Sequence, residues 1–324
     1  MKKGLHNHKW YKNNVEKLIE RAEHISLPFF DGVPIYNVAL FFWRSIVDGS
    51  ITTRASAIAF SFFIAFFPAV LFLFTLIPYI PIENFQNELF YLIQGLLPQS
   101  TFSTVEDTVK DIITRPRGGL LSFGFFMALV FATNGLASMM SAFDATIHSI
   151  HRRSWISQRL TAILLLIILS VLLTIAITLL TGGQIVINYL RVNDILRDNF
   201  TVFLLNFGKW VIIIFLFFFA YSFLYYFAPA KKTKWRFISA GGTLATILSI
   251  IALTGFTFYI NNFSQYNKLY GSIGTLLIIL FLMYIMSLIL LIGFELNASI
   301  YQAHTEKEEI GEKKNPGEEE IISF

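Results

Sequence analysis

The sequence predicts an all-α, polytopic integral membrane protein with six transmembrane helices. Its 324 residues are 55% hydrophobic and only 14% charged, whereas soluble domains usually carry about 25% charged residues. The apolar residues form continuous runs rather than the alternating segments of about 10 residues that are typical of membrane β-barrels. Several spans with short connections fill the chain, so we expect no separate soluble domain.

Six apolar runs are long enough to cross a membrane. At a rise of 1.5 Å per residue, about 20 residues cover a hydrocarbon core of roughly 30 Å. The predicted spans are residues 55–80, 118–142, 160–182, 210–228, 237–260 and 273–298. An even number of spans places both chain ends on the same side of the membrane.

The segments outside the spans differ in character. Residues 1–50 are basic, with apolar residues at helical spacing over residues 35–47, which predicts an amphipathic region at the cytoplasmic or interfacial surface. Residues 51–302 form the six-helix membrane domain, and the long outer connection of residues 82–117 is expected to contain short amphipathic helices. Residues 303–324 are rich in Glu and Lys without apolar periodicity, which predicts a disordered, charged cytoplasmic tail.

The Lys and Arg residues of the connections predict the orientation. Arg152, Arg153 and Arg159 follow the second span, and residues 231–236, after the fourth span, are mostly basic. Connections rich in Lys and Arg usually stay in the cytoplasm, so both termini are predicted to be cytoplasmic. Tryptophans lie near the predicted span ends, in agreement with the preference of Trp for the membrane interface.

Very few ionisable side chains fall near the predicted membrane interior. Arg54 begins the first span, Asp144 follows the second and Glu295 lies near the end of the sixth, so the predicted orientation puts all three at the cytoplasmic level. We expect an inner-face polar cluster in which Arg54, or else Arg44 or Arg159, neutralises Glu295. A structural ion pair and a functional gate or ligand contact both remain open, because ionisable residues in membranes serve both purposes.

Pro68 interrupts the first span, where a proline kinks a helix and frees a backbone carbonyl. Together with Ser61 of the same span, and with Tyr225 and Tyr226 of the fourth, it is a candidate for the wall of a cavity. Simple packing is the alternative for the kink. For the tyrosines the alternative is anchoring at the membrane interface.

Three glycines of the sixth segment are predicted to serve helix packing. They are Gly271, Gly274 and Gly293. Without side chains, they allow a neighbouring helix to approach closely, as small residues commonly do in membranes.

Enzymatic chemistry finds little support in the sequence. The chain has no cysteine, which excludes disulfides, thiolate catalysis and thiolate metal ligands. His148 and His151 stand three residues apart beside basic residues, a pattern more typical of a surface turn than of a metal site. No phosphate-binding glycine loop or nucleophile elbow occurs. We therefore assign no catalytic residue, metal or cofactor, and we expect no nucleic-acid partner.

Three motifs occur in order along the chain. The first comprises residues 53–60 (TRASAIAF) and 67–68 (FP), and the second comprises residues 224–229 (LYYFAP) followed by Trp235. The third comprises residues 269–274 (LYGSIG) and 291–297 (LIGFELN). Over residues 35–300, this order resembles the YihY family of bacterial inner-membrane proteins, also called the virulence factor BrkB family. Phe294 stands where that family commonly has a small residue.

The resemblance implies six spans in a bacterial inner membrane with cytoplasmic termini, but it implies no settled biochemical activity. Members have been called ribonuclease BN, a label that this sequence does not support because nothing resembles a nuclease metal cluster. Others are discussed in connection with envelope lipids. No midplane carboxylate is evident, which disfavours a conventional proton-driven carrier of polar solutes.

These observations favour a non-enzymatic inner-membrane protein that transports or accommodates a lipid-like or amphipathic envelope molecule. Membrane lipids and a lipid-like substrate are the expected partners, and the sequence assigns no oligomeric state. The alternative is a structural or regulatory envelope factor without transport. A membrane-associated ribonuclease, acting through Asp144 and His148, is a more remote alternative.

Overall fold

The computed structural model describes residues 25–26, 30, 32–48, 50–79, 86–87, 90, 94, 106–107, 109–112, 114–147, 153–192, 199–231, 238–262 and 266–314. The long helices in these ranges are α1 (Ile35–Asp48), α2 (Ile51–Leu76), α3 (Gly118–Thr146), α4 (Trp155–Val192), α5 (Asn199–Phe227), α6 (Ala240–Asn262) and α7 (Tyr266–Lys314). A short 3-10 turn, Ile77–Tyr79, follows α2.

Helices α2 to α7 are long and apolar enough to cross a membrane, and no strand occurs in the ranges given above. The prediction of an all-α, multi-pass membrane protein with six spans is therefore confirmed. Four of the six helices, α3, α4, α5 and α7, are longer than the predicted apolar runs. α4 begins at Trp155 and α5 at Asn199, ahead of the predicted spans, because polar and aromatic residues can continue a helix into the interfacial region of the bilayer.

The sixth span belongs to the longest helix. α7 has 49 residues and continues to Lys314, so the prediction of a disordered tail from residue 303 is wrong for residues 303–314. Ala303 is 2% exposed, and it packs with Ile300 in a small apolar cluster that includes Val38 of α1. Because Glu, Lys and Ala are also strong helix formers, the composition that suggested disorder equally supports a longer helix.

α1 is an amphipathic helix that packs on α7. Val38 is buried between them, whereas Leu40, Trp43 and Val47 are exposed on another side of the helix. Ser50, in the left-handed backbone region at φ 49°, lies between α1 and α2. Residues 1–24 lie outside the described residues, and of the predicted outer connection, residues 82–117, only positions 86–87, 90, 94, 106–107, 109–112 and 114–117 are described.

The core is formed where α2 packs on α3 and α7 packs on α2 and α6. Ile58, Leu136, Phe143 and Leu291 are each at most 1% exposed in one apolar cluster at this junction. Helices α2, α4 and α6 all begin at the same end of the bundle. We call it the basic end, because Arg and Lys cluster in its connections. The positive-inside rule predicts that the basic end faces the cytoplasm.

Candidate functional site

Glu295 of α7 is completely buried, at 0% exposure, and forms an ion pair with Arg54 of α2. The Arg54 Nη2 atom donates to the Glu295 Oε1 atom at 2.6 Å. Of the three arginines predicted as possible partners of Glu295, only Arg54 pairs with it within the described residues. Arg44 and Arg159 form no ion pair there. The pair therefore ties the sixth span to the first at the basic end.

Two hydroxyl groups complete the surroundings of this carboxylate. Thr146 of α3 donates to Glu295 Oε1 at 2.8 Å and accepts a hydrogen bond from Arg54 Nη1 at 2.5 Å. Ser45 of α1 donates to the other carboxylate oxygen, and Arg54 Nη1 also donates to the Ala142 carbonyl at 2.9 Å. Ser45, Arg54, Thr146 and Glu295 are called the hub below. Four helices, α1, α2, α3 and α7, meet at the hub. The buried carboxylate of Glu295 is stabilised there by a counter-ion and by hydrogen bonds.

Asp144 belongs to a second, separate polar group. Its Oδ1 atom accepts a hydrogen bond from the Ala230 backbone N–H at 2.7 Å, beyond the end of α5. Arg153, just before α4, donates to the carbonyls of Phe227 and Pro229 at 3.1 and 2.7 Å. Burial lowers the pKa of the Arg153 guanidinium, and the nearby negative charge of Asp144 partly offsets this effect. The three ionisable residues predicted as one cluster thus form two groups. Asp144 lies at nearly the same level of α3 as Thr146, but it points to a different side of that helix from the one that faces Arg54 and Glu295.

Gly293 marks a close crossing of α6 and α7. A Cβ atom at Gly293 would lie 2.4 Å from the Tyr225 hydroxyl oxygen, and one at Gly241 would lie 1.9 Å from the Gly293 carbonyl oxygen. Beside this crossing, Asn297 Oδ1 accepts a hydrogen bond from the Gly241 N–H at 2.8 Å, and its Nδ2 atom donates to Ser239 at 3.0 Å. A side chain of α7 therefore caps the first turn of α6.

The other predicted packing glycines are less informative. Gly274 is buried in α7, and Gly271 lies in the same helix with surroundings outside the described part of the chain.

Tyr225 is a core residue rather than an interfacial anchor. It is 7% exposed, its hydroxyl donates to the Leu290 carbonyl at 2.9 Å, and its ring packs against Phe143 and Phe294. The rings of Phe143 and Phe294 stack with centroids 3.9 Å apart. The large residue at position 294 therefore fills space between α3 and α7. Tyr226 lies next to the ring of Phe227 at the end of α5.

The first span does not separate at its proline. α2 is one helix from Ile51 to Leu76 with Pro68 inside it. Ser61 bonds its own helix through the Ala57 carbonyl, at 2.8 Å, and lies 3.0 Å from the Ser138 hydroxyl of α3. Pro68, Ser61, Tyr225 and Tyr226 are not among the residues that line the cleft described next.

A cleft of about 560 Å³ opens between α2, α3 and α4. Its polar lining residues are Arg54, Asn134, Ser138, Ser141 and Gln158, and the rest of its lining consists of four alanines. Gln158 Nε2 donates to the Ala137 carbonyl at 3.3 Å and to Ser141 at 3.4 Å. The sequence did not predict this site, although three of its polar residues recur at helical spacing in α3.

The polar stripe in the cleft lies on the face of α3 that points away from the core. Asn134, Ser138 and Ser141 follow one another by four and three residues, and the buried Leu136 and Phe143 occupy the opposite face. Asn134 precedes Asp144 by ten residues, or about 15 Å along the helix. If Asp144 marks one boundary of the hydrocarbon core, Asn134 lies near the membrane midplane.

A metal centre finds no support in the described ranges. No three His, Asp or Glu side chains come close enough there to hold a metal ion. Asp144, which the ribonuclease alternative would need, is occupied by the Ala230 backbone, and His148 lies outside the described residues.

Residues from all three sequence motifs converge at the basic end. Arg54 from the first motif pairs with Glu295 from the third, and Tyr225 from the second bonds the backbone of α7 just before them. A six-span helical bundle fastened by these contacts defines a multi-pass membrane protein. The chain matches the family model described as "Virulence factor BrkB" over residues 42–318, and it belongs to that family. The sequence-based recognition is therefore confirmed.

Relatives carry names that describe a membrane protein more often than an activity. A Bacillus subtilis (strain 168) protein named as the ribonuclease-like protein YfkH is 28% identical over 256 residues, covering 77% of this chain and 90% of that protein. A protein of Haemophilus influenzae (strain 86-028NP), named as a UPF0761 membrane protein, is 23% identical and covers 87% of this chain and 98% of its own length. Another UPF0761 membrane protein, from Idiomarina loihiensis, is 24% identical, and the match covers 70% of this chain and 76% of that protein. No solved structure matches the chain.

Proposed function

We propose that this protein is a non-enzymatic bacterial inner-membrane protein, with both termini in the cytoplasm, that accommodates or transports a lipid-like or amphipathic envelope molecule. The observation that carries the proposal is the polar cleft between α2, α3 and α4. Its volume of about 560 Å³ lies in the range of ligand pockets, roughly 300 to 1,000 Å³.

The position of the cleft supports an amphipathic ligand. Its polar stripe is on the side of α3 opposite the apolar core, so it is open toward the surroundings of the bundle rather than toward its interior. In a membrane those surroundings are lipid, which offers no hydrogen bonds to an exposed amide or hydroxyl. A molecule with a polar head and an apolar chain can satisfy the stripe while its chain stays in the bilayer.

The side-chain amide of Asn134 gives a chemical reason to expect a ligand in the cleft. No hydrogen bond joins its amide to any other residue of the described ranges, although Ser61 and Gln158 provide contacts for Ser138 and Ser141. Leaving a polar group without a partner in an apolar environment costs roughly 2 to 7 kcal/mol, depending on the reference solvent. A ligand head group that pairs with this amide would recover part of that free energy.

Reconstituted vesicles test the proposal. Fluorescent analogues of phospholipid, diacylglycerol and isoprenoid phosphate are placed in both leaflets, and loss of the inner-leaflet signal after external quenching reports movement across the membrane. We expect faster loss with the protein than in empty vesicles for at least one analogue. Ser141→Phe, which fills the cleft, should slow this movement.

Ser170→Phe is the matched control, because Ser170 is exposed on α4 and does not line the cleft. It should leave movement as in the unmodified protein. If the lipid analogues cross the membrane as fast with Ser141→Phe as with the unmodified protein, transport does not use the cleft. Vesicles in which no analogue moves faster than without protein would overturn transport, and the structural or regulatory alternative would then be preferred.

A further inference from the structure

The described residues that line the cleft carry no unbalanced charge, and this charge balance indicates which class of ligand the cleft can bind. Arg54 is the only charged residue among those lining residues, and the charge of Arg54 is balanced by the buried Glu295 at 2.6 Å. We infer that the cleft receives an uncharged, hydroxyl-bearing head group, as in a diacylglycerol or a neutral glycolipid, rather than a free phosphate group. This inference rests on the proposed function and specifies the substrate class of the same site.

The hydrogen bonds of Arg54 are all made to groups of the protein itself. Its Nη1 atom donates to Thr146 and to the Ala142 carbonyl, and its Nη2 atom donates to Glu295. Its Nε atom is buried and has no partner in the described part of the protein, so a ligand in the cleft does not reach it. Arginine frequently binds a phosphate through two parallel N–H groups, and because the Arg54 Nε atom is buried, Arg54 does not present such a pair to the cleft.

A second arginine lies nearby but on another side of α3. Arg159 Nη1 lies 3.4 Å from Thr133 Oγ1, and its guanidinium lies over the ring of Trp155 at 5.6 Å. Thr133 is next to Asn134 in sequence, and consecutive helical residues point about 100° apart. Arg159 does not line the cleft. A head group in the cleft therefore has no direct contact with Arg159.

The remaining polar groups of the cleft suit a neutral ligand. Asn134 and Gln158 carry amides, and Ser138 and Ser141 carry hydroxyls, so together they both donate and accept hydrogen bonds. These groups match alcohols, esters and sugars. An anion placed among them would lose its hydration without gaining a counter-ion, which makes its entry far less favourable than that of an uncharged alcohol.

Two lipids that differ only in a phosphate test the inference. Diacylglycerol and phosphatidic acid with identical diazirine-bearing acyl chains are added separately to the full-length protein in nanodiscs of phosphatidylethanolamine. After illumination, mass spectrometry compares labelling of the α3 cleft segment, residues 134–145, with labelling of the exposed face of α4, residues 160–171. We expect diacylglycerol to label the cleft preferentially, and phosphatidic acid to label both segments equally.

Variants make the charge argument testable. Asn134→Leu should reduce the preference of diacylglycerol for the cleft by roughly three- to tenfold, which corresponds to one hydrogen bond. Ser141→Lys adds an unbalanced cation at an exposed position of the cleft, and it should shift the labelling preference toward phosphatidic acid. Ser170→Lys on the outer face of α4 should not alter labelling of the cleft.

The outcomes separate the two proposals. Phosphatidic acid labelling the cleft of the unmodified protein as strongly as diacylglycerol would overturn the neutral head group but keep the cleft as a lipid site. An unchanged lipid preference in Ser141→Lys would also overturn the charge argument. If neither lipid labels the cleft above the α4 reference segment, the cleft is not a lipid site and the proposed function loses its support.

Discussion

The two sides of α3 use polar residues in opposite ways. On one side, Thr146 enters the hub, where every oxygen of the Glu295 carboxylate has a partner and no part of Glu295 is exposed. On another side, Asn134 lines an open cleft without a hydrogen bond to the described residues, and Arg54 is the one hub residue that also lines this cleft. A polar group that is fully paired fastens helices together, whereas an unpaired one next to open space is available to a ligand. The first side should therefore govern stability and the second should govern binding.

The largest expected effect is removal of the hub carboxylate. Glu295→Ala leaves the largely buried Arg54 guanidinium without its counter-ion, and breaking a buried ion pair in this way costs roughly 3 to 5 kcal/mol. Thermal and denaturant unfolding in detergent should show this loss. The double variant with Arg54→Met should lose less than the two single variants combined, because no buried charge is left alone.

Glu295→Gln distinguishes the two roles that remain open for the hub. A structural ion pair predicts a lower folded yield and a lower unfolding midpoint. If folded yield and stability are unchanged while lipid movement in vesicles is lost, the structural role is wrong and the hub acts as a gate.

The next effect concerns the crossing of α6 and α7. In Gly241→Ala the new methyl group would meet the Gly293 carbonyl oxygen at 1.9 Å, so the helices must separate. Overpacking of this kind costs about 1 to 3 kcal/mol. Gly255→Ala on the same helix is the control, since a Cβ there meets nothing within 4 Å. It should be neutral or slightly stabilising, and equal effects of the two substitutions on the unfolding midpoint would contradict the close crossing.

A smaller effect is expected at the cap of α6. Asn297→Ala removes both the acceptor for the Gly241 N–H and the donor to Ser239, and loss of an N-terminal cap costs about 0.5 to 2 kcal/mol. Asn297→Asp keeps the acceptor and should lose less. Hydrogen exchange of the first turn of α6 measures the effect locally. Unchanged exchange in Asn297→Ala would show that the cap does not hold this turn.

The smallest loss of stability is predicted on the cleft side. Asn134→Leu replaces an amide that has no partner among the described residues with a side chain that suits an apolar environment, so the free energy of unfolding should not fall and should rise to the extent that the amide is unpaired against lipid. The same replacement at Asn297 provides the comparison and should cost clearly more. A large loss of stability in Asn134→Leu would mean that the amide is part of the packing, and the contrast between the two sides of α3 would disappear.

The sequence was informative wherever a signal depends on one helix alone. The six apolar runs predicted the spans, and the scarcity of ionisable residues directed attention to Arg54 and Glu295. Depth along a helix can be counted from the sequence, but the direction of a side chain around the helix depends on its neighbours. For this reason the sequence predicts one cluster that includes Asp144, and it does not single out Ser45 and Thr146, two ordinary hydroxyl residues.

The cleft also depends on how neighbouring helices pack, so the sequence alone does not predict it. A proline and several tyrosines are conspicuous in a sequence, and they suggested a cavity around Pro68 and Tyr225. The polar stripe of α3 consists of small, common residues, and it becomes a site only because α2 and α4 leave that face uncovered. The clue available from sequence was the recurrence of Asn134, Ser138 and Ser141 on one helical face within an apolar run.

The length of α7 also has a practical consequence. Its 49 residues make a rod of roughly 74 Å, more than twice the thickness of a hydrocarbon core. Because the helix continues without interruption past Ala303 to Lys314, a folded domain joined in helical register to its end would be held at a fixed angle to the bundle. Such a fusion would add a rigid fiducial mass for cryo-electron microscopy to a membrane protein of only 324 residues.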